Sequence, residues 1–141
     1  EVGRIQFWKV AMKPGRPLAF GHIGNAVFFG LPGNPVSVMV TFELFVEPAL
    51  RRMMGELPRP QLTVRATTTS RLKKRPGRIE YQRGVLEQRE DGGYSVRKTG
   101  AQGSGILSSM SEGNCYIVLP MESTGVEAGA LVDVRPFDAG L

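Results

Sequence analysis

Cysteine is nearly absent from this 141-residue chain: Cys115 stands alone, so no internal disulfide can form and stability has to come from a packed core. Histidine is as scarce. His22, the single example, lies in the glycine turn Gly21-His22-Ile23-Gly24-Asn25 with no acid or thiol at metal-ligand spacing, so it reads as structural and excludes a zinc-type site or a Ser-His-Asp relay. Long apolar runs are missing too. The longest, residues 36–50, is broken by Thr41, Glu43 and Glu47 and falls short of the roughly 20 apolar residues that a membrane-spanning helix needs. No basic, apolar leader with a small-residue end opens the sequence, so a cytoplasmic protein with no membrane partner is expected. The chain starts at Glu1 and runs directly into a strand-like segment, from which an absent N-terminal part is expected.

What is present is ordinary for a globular protein, with 41% hydrophobic and 22% charged residues, a composition that excludes disorder as the default. The net charge of +5 is unevenly placed. Residues 59–98 carry eleven Lys or Arg against four acids, whereas residues 99–141 carry one against five. A basic middle attracts anions, and charge alone does not choose among nucleic acid, a lipid surface and a phosphorylated small molecule.

Gln6 to Met12 is rich in strand formers and ends at the turn Lys13-Pro14-Gly15-Arg16-Pro17; Leu18–Gly21 and Ala26–Gly30 suit a hairpin. Asn34 is a favoured N-cap and Pro35 fits the first helical position, which predicts a helix from there to about Met54, closed by Gly55. Its apolar residues fall on nearly every side, so it is expected to be buried, with Pro48 bending its last turn. Strand, glycine turn and helix in that order predict an α/β layer over residues 1–57. After Pro58 the character changes to strand-like runs at 62–70, 79–88, 94–98, 115–119 and 131–136, with Asp91-Gly92-Gly93 as a hairpin turn. A small all-β, barrel-like domain over 58–141 is expected.

The loop Leu31-Pro32-Gly33-Asn34-Pro35 leads into a helix start, where unpaired backbone N–H groups favour anions; the alternative is a plain turn and cap. Lys9 and Lys13, at even separation, would share one face of a strand and neutralise an oxyanion, or form a solvated edge. Five cations in Arg71–Arg78 read as a solvated loop; no aromatic residue is interleaved to stack bases, which argues against nucleic acid. Arg83, within a strand, needs a partner and could hold an anionic ligand. Gly100–Gly105 offers backbone N–H groups but lacks the Gly-Lys-Ser/Thr end of a Walker loop. Cys115, at the head of an apolar strand, reads as a small hydrophobe.

Five segments resemble, in order, the C-terminal portion of the molybdopterin molybdenumtransferases, the MoeA family: Phe7–Pro17, Gly30–Ser37, Arg78 with Tyr81-Gln82-Arg83-Gly84, Gly103-Ser104-Gly105 with Ser108-Ser109, and Gly113-Asn114. The resemblance implies that residues 1–57 are the C-terminal part of a molybdopterin-binding α/β domain and 58–141 a separate C-terminal β domain. It implies an enzyme of molybdenum cofactor biosynthesis that inserts molybdenum from molybdate into adenylylated molybdopterin and releases AMP. It also implies a homodimer using Mg²⁺, with metal ligands expected in the absent N-terminal part, so that the fragment alone is expected to be inactive. Lys9 and Lys13 would be its active-site lysines, Pro32 and Pro35, with Gly33 and Asn34, its substrate loop, and Arg83 and Ser104 its contribution from the β domain. A non-catalytic scaffold binding a partner peptide through the β domain is the alternative that the resemblance leaves open.

Overall fold

The longest strand of the chain organises its larger half. In a computed structural model that describes residues 3–100, 102 and 107–137, β1 (Gly3–Lys9), β2 (Met12–Lys13), β3 (Pro17–Ile23) and β4 (Ala26–Gly30) are followed by α1 (Pro35–Thr41), a π-helical turn (Phe42–Val46) and α2 (Glu47–Met53). Then come β5 (Val64–Thr68), β6 (Leu72–Lys73), β7 (Ile79–Gln88), β8 (Tyr94–Lys98), α3 (Ser108–Glu112), β9 (Cys115–Leu119), β10 (Gly125–Val126) and β11 (Leu131–Pro136). The first half of β7 pairs antiparallel with β9 and its second half with β8, the changeover falling at Gly84. Pairings β8–β5, β5–β11 and β11–β9 close the ring into a five-stranded barrel. At Gly84 a Cβ would stand 2.9 Å from the Arg97 carbonyl oxygen and 3.0 Å from Ile117 Cδ1, so only glycine lets three strands meet there.

The barrel interior holds Ala66, Leu72, Val96, Cys115, Ile117, Leu119, Val132 and Val134. Strand β9 alternates: Cys115, Ile117 and Leu119 point inward, while Tyr116 packs outward with Met12, Val36, Val40 and Met110. A strand covered on both faces reads as the unbroken apolar run Cys-Tyr-Ile-Val-Leu. Complete burial of Val36 and Val40 beneath the helix contributes about 1.5–3 kcal/mol each. The N-terminal segment is tied to the barrel by this cluster and by β2 pairing parallel with Ile79–Glu80 of β7.

The barrel-like part of the expected fold is therefore observed, and the α/β part only in outline. Strand–turn–helix order is present, but β1, β3 and β4 form an antiparallel sheet with no parallel crossover unit. The strand expected through Met12 breaks after Lys9. There the chain turns, with the Val10 N–H donating to Arg16 O (2.7 Å) and Met12 N–H to Val10 O (2.8 Å). The helix is not buried on all sides either: Met39, Phe42 and Leu50 are 39%, 40% and 42% exposed, because among the described residues it meets the barrel along one face. Pro48 acts earlier than expected. Its ring would crowd the carbonyl one turn back, and the helix widens into the π turn just ahead of it, where Glu47 N–H bonds Phe42 O. Residues 56–63 carry neither helix nor strand.

Candidate functional site

Strand β2 is short, yet it is anchored. Met12 is 3% exposed, and the Ile79 N–H donates to Ala11 O (3.0 Å), which leaves Lys13 half exposed beside β7. Its Nζ lies 3.9 Å from Glu80 Oε1, while the other Glu80 oxygen accepts from Gln82 Nε2 (2.9 Å). The following turn is fixed by glycine. Gly15 has φ +100°, and a Cβ there would meet Thr41 Cγ2 of α1 at 2.5 Å, so the Lys13–Gly15 corner seats directly on the helix. Lys13 opens onto a cleft of about 790 Å³ whose other walls are the Arg71–Arg78 run and the β10 region, with Glu80 and Glu127 among its lining.

Lys9 is placed differently. It ends β1 opposite Pro17, is exposed, and does not line this cleft. The shared-face argument for the two lysines fails because they lie on separate strands. The loop Pro32-Gly33-Asn34-Pro35 precedes α1 as expected, with Asn34 as N-cap and its carbonyl accepting from Val38 N–H (2.9 Å). The Asn34 side chain makes no cap hydrogen bond, and a Cβ at Gly33 would meet nothing within 4 Å.

Arg83 is the largest fully buried side chain, 1% exposed. Its Nε donates to Ser109 Oγ (3.0 Å), Nη1 to Tyr81 O (3.0 Å) and Nη2 to Gln102 O. Burial lowers its pKa from the usual arginine value, with the nearby Tyr116 and Glu80 opposing the shift. The guanidinium thus spans β7, residue 102 and α3 through neutral oxygens. Gln102 was not singled out in the sequence. Its side chain accepts from Arg83 N–H (2.7 Å) and donates to Arg83 O (3.2 Å) and Thr99 O (3.1 Å). Nothing but polarity marked it, since its partner lies 19 positions away. Ser104 lies outside the described residues.

Two further titratable groups of the core, Cys115 and Tyr116, are held in their neutral forms. Burial pushes the Cys115 thiol up to about 12, so it carries almost no thiolate near neutrality. We expect Cys115 to resist iodoacetamide at pH 8 in the folded protein and to react once unfolded; rapid native labelling would contradict its place in the barrel. Desolvation raises the Tyr116 phenol far above its ordinary value, and the Glu43 carboxylate adds to the rise. Among the described residues no three of His, Cys, Asp and Glu converge, so these residues do not make a magnesium site by themselves. Among them, too, no helix is long and apolar enough to cross a membrane.

A closed five-stranded barrel, joined through β2 and one helix to a strand–turn–helix segment, is the architecture on which this cationic cleft is built. Residues 65–137 match the MoeA C-terminal region (domain IV), and residues 1–52 match the probable molybdopterin binding domain. The molybdopterin molybdenumtransferase of Haemophilus influenzae is 43% identical over 139 residues, covering 98% of this chain and 34% of the relative. Molybdopterin molybdenumtransferase 1 of Mycobacterium tuberculosis is 36% identical, covering 95% and 33%. The crystal structure of the molybdopterin biosynthesis MoeA protein from Pyrococcus horikoshii OT3 superposes with a TM-score of 0.71 at 32% identity, covering 94% of this chain and 32% of that one. The chain belongs to the MoeA family, as its C-terminal portion. It spans about a third of the length of the curated relatives it matches.

Proposed function

We propose that the protein carrying this chain is a molybdopterin molybdenumtransferase of molybdenum cofactor biosynthesis. It inserts molybdenum from molybdate into adenylylated molybdopterin and releases AMP, acting as a cytoplasmic homodimer. Residues 1–57 close its molybdopterin-binding domain and 58–141 form its C-terminal β domain. The observation that carries this reading is Lys13: in a chain of this family it is held on an anchored strand with its ammonium at the wall of a cationic cleft.

The chemistry demands such an arrangement. Molybdate and the substrate phosphates are both anionic, and bringing them together costs repulsion that fixed cations and backbone N–H groups offset. Lys9 and Lys13 neutralise them, and the Pro32–Pro35 loop presents the start of α1 to the phosphate or pterin end. Arg83 and Ser104 act from the β domain, Arg83 by holding the Gln102 segment in place. Mg²⁺, with ligands expected outside the described residues, would add further neutralisation if bound.

The test is genetic. A strain lacking its own molybdenumtransferase should regain molybdoenzyme activity when given the full-length gene. Failure to restore it, with the protein expressed and folded, would contradict the reading.

A further inference from the structure

We propose that the cleft between β2 and the paired strands β6 and β10 binds a compact dianion, the phosphate of a phosphomonoester, through Lys73, Arg75 and Arg78. Taken as sequence, the run 71–78 is a solvated loop; folded, it is a fixed wall. Gln82 Nε2 donates to Lys73 O (2.9 Å), and Gly77 N–H to Met121 O (2.9 Å). Lys74 turns inward and gives its ammonium to three carbonyls, those of Arg75 (3.0 Å), Met121 (3.2 Å) and Ser123 (3.1 Å). The backbone that presents the other cations is therefore pinned from both sides.

The charges are left unbalanced. Six cations line the cleft against the two carboxylates of Glu80 and Glu127. Lys13 faces Glu80 at 3.9 Å, Arg71 pairs with Glu127 at 3.2 Å, and Lys74 is held by carbonyls. Lys73, Arg75 and Arg78 have no side-chain ion pair or hydrogen bond among the described residues, so pinned like charges repel one another until an anion enters.

The lining also limits what that anion can be. It contains no aromatic ring to stack a base, and its two carboxylates would repel a continuous phosphate backbone, which disfavours a nucleic acid strand. A single tetrahedral dianion suits three cations that line one cleft, while Pro76 and Val126 offer an apolar wall for the rest of an ester. The choice of an ester over a bare oxyanion rests on the function proposed above; the affinity for a dianion does not.

The test is calorimetric titration of the full-length protein with AMP, inorganic phosphate and molybdate, on the wild type and on Lys73→Ala/Arg78→Ala. AMP should bind, and its affinity should fall at least about tenfold in the double variant, since two charge-assisted contacts are lost. The ligand-free variant should melt at or above the wild-type temperature in low salt, because repulsion has been relieved; this separates lost binding from unfolding. Absence of AMP binding to the wild type, or unchanged affinity in the variant, overturns the proposal. Phosphate or molybdate binding as tightly as AMP, and equally lost in the variant, overturns the ester. A full-length protein that fails the genetic test yet binds AMP through these residues would sink the transfer reading and leave the cleft standing.

Discussion

Lys13→Ala in the full-length protein is expected to abolish molybdenum insertion, lowering kcat/KM by at least about a hundredfold, as loss of one preorganised charge-stabilising donor does elsewhere. The same change should leave the fold intact. The Lys13 side chain is 53% exposed and its one ion pair among the described residues is long at 3.9 Å, so its contribution to stability is under about 1 kcal/mol. Glu80, its partner, keeps its bond from Gln82. Activity and stability should therefore separate: an unchanged melting temperature beside a dead enzyme. Lys13→Arg should recover part of the activity, since the charge remains while its shape and reach change. Normal turnover by Lys13→Ala would remove the lysine from the site. Lys9→Ala is expected to act in the same direction, although Lys9 stands on a different strand and away from the cleft.

Arg83→Ala is expected to act through stability instead. Removing the guanidinium takes away its hydrogen bonds to Tyr81 O, Gln102 O and Ser109 Oγ and opens a void beside β7, at a cost of about 3 kcal/mol or more. Lysine should not rescue it, because one ammonium cannot reach three acceptors set out for a planar fork. Urea denaturation measures both variants. A loss below about 1 kcal/mol would show that the arginine is not what holds the segment around Gln102.

Much of this architecture was legible along the chain because its signals are local. The strands at 79–88, 94–98, 115–119 and 131–136 are marked by β-formers between turn residues, and the observed elements share those bounds. The helix start at Pro35 was set by Asn34 and proline chemistry. Other features depended on partners distant in sequence. The break after Lys9 is held by Arg16 and by β7, so a sequence rich in strand formers gave no sign of it. Strands β6 and β10 are two residues each and exist only because they pair with one another. The helix looked wholly buried because its exposed Met39, Phe42 and Leu50 are as apolar as its buried side.

The site was legible to a similar degree. Lys13 could be named from its segment, but its neighbours could not, since the run at 71–78 reaches it only when β2 pairs with β7. For Arg83, the need for a partner was visible; that its partners are neutral oxygens of residues 81, 102 and 109 was not.

The most direct test of the account is to supply the purified full-length protein with adenylylated molybdopterin, molybdate and Mg²⁺ and to follow AMP and protein-bound molybdenum together. AMP is expected to appear in step with molybdenum incorporation, one for one, in the wild type. AMP formation without molybdate, or no AMP at all from a folded protein, would contradict it.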